Sequence, residues 1–369
     1  MLSLRLSLRF ALLGAIAFLP IHIFATVELT RGTIDGAHYT IARDSDREWN
    51  HSLLLIAHGF RSDAAPLVAD LFPDQAAYAS LIDEGWIIAK TSYRRNGMII
   101  ADAITDLDNL HAFVSDEFGR PQRSIIEGDS MGGTIATHLM EREDSRYHGA
   151  VAIGAALELR ENDAAPGVKR TPLRPLLFMA NRSEILGPKA YISNAPLSPD
   201  TPQMRPALFR IDRDGHINVN QAERLIALRA LNRWLDRGRQ ALPREQPFDA
   251  TQPAQPQPSR VVFDHDNRGL VTKVSHVSAI YGNVWLDIQL ADLERIGLDP
   301  GLWAEIRIDG KSYRFRYGQD FSSVKRGEWV IFPNADGFFW LSRNWGNAAE
   351  TADLAMGDEV HLRRLDSSN

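Results

Sequence analysis

Gly128-Asp129-Ser130-Met131-Gly132-Gly133 sets a serine between glycines, after the apolar run Ser124 to Glu127 and before a helical run from Met131 to Glu141. A serine on so sharp a strand-to-helix turn has its hydroxyl lifted clear of the backbone. The flanking glycines leave room for that turn. The five-residue pattern arises by chance in roughly one chain of this length in ten at average glycine usage, so its surroundings must supply the rest. A serine hydroxyl is a poor nucleophile at neutral pH and needs a base within hydrogen-bond reach. Of eleven histidines, His216 in Asp214-Gly215-His216 is the best placed, just after the last apolar strand. His138 lies two turns along the serine's own helix, too far to serve, and His58 and His111 read as residues of the loop and the core.

The base in turn needs a carboxylate to fix its tautomer and stabilise the imidazolium. Glu184, a few residues beyond the strand Leu176 to Ala180, is the first choice, with Asp212 and Asp214 as rivals that flank the histidine more closely. The developing oxyanion needs donors as well. Here they are the backbone amides of Met131, after the serine, and of Phe60 in His58-Gly59-Phe60, after the strand Leu53 to Ala57. Arg94 and Arg95 follow the strand Trp86 to Thr91, where they either meet an anionic substrate or pair within the fold.

These residues need elements to hold them. Val27 to Thr33 and Ala37 to Ala42 flank Asp35-Gly36, an edge-hairpin signal. Short apolar runs follow at Leu53 to Ala57, Trp86 to Thr91, Ser124 to Glu127, Ala150 to Gly154, Leu176 to Ala180 and Ala207 to Ile211. Such runs suit strands covered on both faces. Between and after them, Ala101 to Phe118 and Asn220 to Arg237 carry apolar residues at helical spacing. Strands alternating with helices give an α/β class with a mostly parallel sheet and helices on both faces.

Leu242 to Arg260, rich in Pro and Gln, reads as an extended linker. Beyond it, Ala304 to Tyr317 and Trp329 to Ser342 bracket Asp309-Gly310 and Asp336-Gly337, two hairpin signals. With Leu270 to Val274, Asn283 to Gln289 and Glu359 to Arg363 they predict a small all-β domain, a barrel. The predicted organisation is therefore 1–25, 26–241, 242–260 and 261–369.

Arg5 and Arg9 precede an apolar stretch from Phe10 to Phe24 that is short for a membrane span and broken by Pro20 and His22. It reads as a signal peptide cleaved after Ala25, which predicts an exported protein, periplasmic or secreted, without a stable membrane span. The 369 residues contain no cysteine, so an exported chain would be held by its core alone, with neither disulfides nor thiolate metal sites. Its 44% hydrophobic content is ordinary, and a net charge of −6 gives no support for nucleic-acid binding.

The order Ser130, Glu184, His216 is that of the α/β-hydrolases. Residues 27 to 240 resemble that serine hydrolase superfamily. Trp49-Asn50, His58-Gly59-Phe60, Ser92 to Gly97, the serine turn and Gly215 to Val219 are similar to secreted esterase, tannase-like and peptidase-like members. The resemblance implies hydrolysis through an acyl-enzyme, with no metal or organic cofactor. The short stretch between Ala150 and Leu176 argues against a large lid of the lipase kind. Residues 260 to 366 resemble the C-terminal β-domain of the S-adenosylmethionine hydroxide adenosyltransferase and fluorinase family, through Tyr281-Gly282-Asn283, Tyr317-Gly318, Gly327-Glu328, Asn334 to Gly337, Gly346 to Ala349 and Gly357-Asp358. In that family the nucleoside site also needs the N-terminal domain of a neighbouring subunit, which a hydrolase replaces here. Asn283 and Asn347 are left as ligand-facing candidates, beside a structural or subunit-contact role that includes homo-oligomerisation.

The expected function is an exported serine hydrolase acting on a small ester, with Ser130 as nucleophile, His216 as base and Glu184 as its partner. A peptidase or amidase would use the same groups on a peptide-like substrate. A ligand-binding protein built on a hydrolase scaffold is the alternative from another class.

Overall fold

The computed structural model describes residues 26–158, 166–195, 204–238, 240, 242, 245–248 and 259–365. The expected signal segment, residues 1–25, lies outside them.

Period-two alternation decides how the first sheet is covered. In β3 (Ser52–Ala57), Leu53, Leu55 and Ala57 face one core while Leu54 and Ile56 face another. The first core is closed by α2 (Ile100–Phe118) and α3 (Met131–Met140), through Leu107, Leu110, Val114, Ile135 and Leu139. The second is closed by α1 (Ala76–Asp83) and α5 (Gln221–Arg237), through Tyr78, Leu81, Leu228, Leu231 and Trp234. Each fully buried aliphatic side chain contributes about 1.5–3 kcal/mol over its exposed state. A strand covered on both faces must therefore be apolar throughout, as β3 is.

Among the described residues the sheet holds nine strands in the order β1-β2-β4-β3-β5-β6-β7-β8-β9. The hairpin of β1 (Val27–Ile34) and β2 (Ala37–Asp44) is antiparallel and pairs antiparallel with β4 (Ile87–Thr91). From β4 onward the pairing is parallel through β3, β5 (Arg123–Asp129), β6 (Gly149–Ile153), β7 (Leu176–Asn181), β8 (Ala207–Ile211) and β9 (Glu245–Phe248). This is an α/β-hydrolase fold. α5 starts at a capping box in which the Asn220 side chain accepts from the Glu223 amide and Glu223 accepts from the Asn220 amide. A short helix, α4 (Leu186–Asn194), follows β7.

One boundary differs from the sequence reading. Residues 245–248, read as linker, form β9 and pair with β8 at the sheet edge. A Pro/Gln-rich segment is extended in any case, and at an edge it needs to satisfy only one neighbour. Most of the remaining linker range, 249–258, lies outside the described residues.

The second sheet runs β10-β11-β12-β16-β15-β14-β13-β17, and pairing of β11 with β17 closes seven of its strands into a barrel. The strands are β10 (Val262–Phe263), β11 (Gly269–Val277), β12 (Val284–Leu286), β13 (Trp303–Ile308), β14 (Lys311–Tyr317), β15 (Trp329–Pro333), β16 (Phe339–Arg343) and β17 (Glu359–Arg364). Asp309-Gly310 and Asp336-Gly337 turn the two expected hairpins. Two short helices, α6 (Leu290–Arg295) and α7 (Ala348–Ala352), pack residues into its core. The barrel meets the first domain where Asp336 Oδ1 accepts from the Gln221 amide at 3.1 Å, and where the Tyr281 hydroxyl donates to the Phe60 carbonyl at 3.3 Å.

Candidate active site

Ser130 adopts φ +56°, ψ −117°, a positive-φ conformation outside the main allowed regions and rare for a residue with a Cβ. Close packing over-determines it. A Cβ on Gly128 would overlap the Gly132 carbonyl, and one on Gly132 would overlap the Ala57 carbonyl. The two glycines thus let β5, α3 and the end of β3 converge, and the strained residue sits at their junction. Ser130 is half-buried, whereas every residue of α3 behind it is buried.

His216 Nε2 lies 2.8 Å from Ser130 Oγ. Its Nδ1 bonds Glu184 Oε1, and Glu184 Oε2 accepts from the Ile217 amide at 3.3 Å. Glu184 follows the end of β7 and His216 follows the end of β8, so both rise from the carboxyl edge of the parallel sheet, as Ser130 does from β5. Burial works against protonation of His216, but the Glu184 hydrogen bond and charge, with Asp129 and Asp320, outweigh it and raise its pKa above the usual value. The ring is about half exposed, at 50%, and Glu184 is far more enclosed, at 16%. A substrate therefore has access to the histidine while the carboxylate is shielded.

The rival carboxylates are engaged elsewhere. Arg182 reaches Asp214 at 2.9 Å and Asp212 at 3.3 Å. Adjacency in sequence misleads here because both carboxylates turn to Arg182 and not to His216. Arg94 is bound to Asp106 and Arg95 to Asp102, both on α2, so these arginines pair within the fold. Asn347 caps α7 by accepting from the Glu350 amide, and Asn283 is buried at 6% exposure. His138 faces the Pro166 carbonyl and His111 the Ser124 hydroxyl.

Met131 opens α3, where first-turn amides have no acceptor within the helix. The loop carrying Phe60 is drawn against the serine by Gly59, whose added Cβ would stand 3.2 Å from Ser130 Cβ and 3.1 Å from the Asp129 carbonyl. Behind it the loop is pinned. His58 stacks on Tyr93 at 4.0 Å, its Nδ1 and Nε2 lie 2.7 Å and 3.1 Å from the Gly59 and Ser92 carbonyls, and Tyr93 donates to the His58 carbonyl. Burial first, then the charges of Arg61 and Lys90, push the His58 pKa down to about 3, so the ring is neutral. Arg61 is buried, donating to the Val68 carbonyl at 2.6 Å and to Asp70 at 2.5 Å, and Lys90 reaches Asp70 at 2.8 Å. Burial would raise the Asp70 pKa, but Lys90 and Arg61 outweigh it and hold it below the usual carboxylate range.

Two features escaped the sequence reading. Glu127, inside an apolar strand, is fully buried and paired with Arg224 of α5, which also reaches Asp129 at 3.2 Å. Burial pushes Asp129, next to the serine, up to about 6. A glutamate within the run Ser-Ile-Ile-Glu-Gly was the available signal. The approach of Tyr281 and Trp345 from the barrel to Phe60 left no local signal at all. Among the described residues, no group of three or more His, Asp and Glu is placed to hold a metal ion.

Comparison with known proteins gives two matches along the chain. Residues 95–216 match the family model described as serine aminopeptidase, S33. Residues 273–361 match that of the SAM hydroxide adenosyltransferase C-terminal domain. A fluorinase from Nocardia brasiliensis is 30% identical over 105 residues, which cover 28% of this chain and 34% of the relative. The chain thus spans about a third of the length of that curated relative. Among solved structures, a putative dienelactone hydrolase from Klebsiella pneumoniae matches 57% of this chain and 99% of its own, with 11% identity and a TM-score of 0.45. An esterase from Pyrococcus furiosus matches 57% of this chain and 91% of its own, with 13% identity and a TM-score of 0.40.

Proposed function

For a chain that joins an α/β-hydrolase fold with a serine-hydrolase family match to a domain matching the SAM hydroxide adenosyltransferase C-terminus, we propose an exported serine hydrolase that cleaves an ester through an acyl-enzyme. The observation that carries the reading is the continuous contact from Ser130 Oγ through His216 to Glu184. In this reading Ser130 Oγ attacks the ester carbonyl carbon while His216 Nε2 takes its proton. The carbonyl oxygen becomes an oxyanion held by the Met131 and Phe60 amides. Collapse breaks the bond to the alcohol oxygen, which receives the proton from His216 and leaves. Water then attacks the acyl-serine, His216 takes a proton from that water, and the acid departs as Ser130 regains its hydrogen. Glu184 accepts from Nδ1–H and so holds the tautomer in which Nε2 is free to accept.

The serine aminopeptidase match favours a second reading, an amidase or peptidase with the same groups. The distinction lies in the leaving group, since an amine must be protonated before it departs. Turnover of matched ester and anilide substrates separates the two: ester cleavage with the anilide left intact supports the esterase. Labelling with a fluorophosphonate tests both. Labelling of the native protein that is absent after Ser130→Ala supports a serine nucleophile, and no labelling of the native protein leaves a ligand-binding scaffold instead. Export rests on the segment from Arg5 to Ala25 and is tested by sequencing the amino terminus of the exported product.

A further inference from the structure

We propose that the C-terminal barrel is a working part of the hydrolase site: Tyr281 and Trp345 are positioning residues that hold the loop carrying the Phe60 amide. The inference rests on the serine-hydrolase reading, in which that amide is the second oxyanion donor.

Two barrel side chains converge on this one residue. The Tyr281 hydroxyl donates to the Phe60 carbonyl at 3.3 Å, and the Trp345 ring lies 6.3 Å from the Phe60 ring, tilted by 58°. Neither barrel residue is there to fill its own domain's core. Tyr281 is 44% exposed and Trp345 71% exposed, on a backbone at φ +57° that is strained for any residue with a Cβ. The Arg326 guanidinium stands 5.3 Å from the centroid of the same indole.

The two contacts are mechanically joined. Gly282 follows Tyr281 at φ +64°, and a Cβ there would overlap the Asn347 side chain. The Gly282 carbonyl accepts from the Ala349 amide at 2.9 Å. The turn bearing Tyr281 is thus packed and hydrogen-bonded to the residues that follow Trp345.

The hydrolase domain fixes the loop from its other side. His58 is held by stacking on Tyr93 and by the one ring N–H that a neutral imidazole can donate to the Gly59 or the Ser92 carbonyl, and Arg61 by Val68 and Asp70. Phe60 lies between those two anchors, and its carbonyl and ring are what the barrel grips. Donors to an oxyanion act only within about 2.7–3.1 Å of it, and a displacement near 1 Å costs about a hundredfold in rate. A grip on the next peptide group is thus a grip on turnover.

The test uses the full chain with Tyr281→Phe, which keeps the ring and removes the donor, together with Trp345→Ala and Trp345→Phe. We expect kcat for an ester to fall about ten- to a hundredfold in Tyr281→Phe and Trp345→Ala, with KM and the pH profile unchanged. Trp345→Phe should recover most of the loss, and all three variants should label fully with fluorophosphonate at long times. Native kcat in both Tyr281→Phe and Trp345→Ala would overturn the inference, as would a rise in KM at constant kcat, which would mean substrate contact. Absence of labelling and of ester turnover in the native protein would instead remove the hydrolase reading itself. Trp345 is exposed, so its replacement tests the inference even where a Tyr281 variant unfolds.

Discussion

His216 Nε2 stands 2.8 Å from Ser130 Oγ although 86 residues separate them in the chain. The approach is made by two strands of one parallel sheet, β5 and β8, each ending at the same edge. Replacing His216 with Ala should lower ester kcat by about 10⁴-fold or more, leaving residual catalysis from the oxyanion donors. Steady-state kinetics on protein with an unchanged thermal midpoint checks this.

Glu184→Gln and Asp212→Asn should differ sharply. Glu184→Gln removes the anion beside Nδ1 and leaves an amide that supports the wrong tautomer, so kcat should drop by about 10³- to 10⁴-fold. Asp212 is 71% exposed and pairs with Arg182 rather than with His216, so Asp212→Asn should leave kcat within experimental error. Equal losses in both variants would contradict the assignment of the carboxylate.

In the proposed mechanism His216 must be neutral to accept the serine proton. The His216 pKa is raised, with burial opposing and Glu184 the leading favourable cause. Thus kcat/KM should decline as pH falls through an apparent pKa above the usual 6.5. In Glu184→Gln burial acts with less opposition, and the residual activity should show that inflection at lower pH. A full pH–rate profile of both proteins measures the displacement.

Global stability should fall as acid is added, partly through His58. Its pKa is near 3 in the folded protein against 6.5 for the free group, so the unfolded chain binds the extra proton between those values. The stability it contributes is complete above about pH 6.5 and is lost as pH falls toward 3, at a slope of at most about 1.4 kcal/mol per pH unit. Urea denaturation at pH 7 and pH 5 should show a smaller difference for His58→Phe than for the native protein.

Gly132→Ala should damage fold and activity together. Its Cβ would overlap the Ala57 carbonyl and approach the His58 carbonyl at 3.0 Å, forcing β3 away from α3. Overpacking of this kind costs about 1–3 kcal/mol. Denaturant midpoints and fluorophosphonate labelling rates should both decline. A stable variant that labels at the native rate would contradict the steric account of the elbow.

The parallel sheet was legible because strands covered on both faces must be apolar, and the helices because their buried faces repeat every three to four residues. Leu53 to Ala57 and Ala101 to Phe118 were visible on those grounds. Ser130 and His216 were legible because each follows a strand in a fixed order, so chain order implies a shared sheet edge, whereas Glu184, Asp212 and Asp214 all satisfy that order and the sequence alone only ranked them. Residues 245–248 were not, since an edge strand needs no apolar face to be recruited.

The sequence by itself determined the class of the two sheets and put Ser130, His216 and three candidate acids, Glu184, Asp212 and Asp214, after strands of the first, because these follow from local periodicity and turn chemistry. Only the tertiary structure decided which side chains those residues meet. Asp212 and Asp214 are as near to His216 in the chain as any acid, yet they turn to Arg182. Tyr281, 221 residues from Phe60, touches its carbonyl. Contacts between elements depend on how whole sheets dock, and docking is set by the sum of many packed surfaces, which no local pattern records.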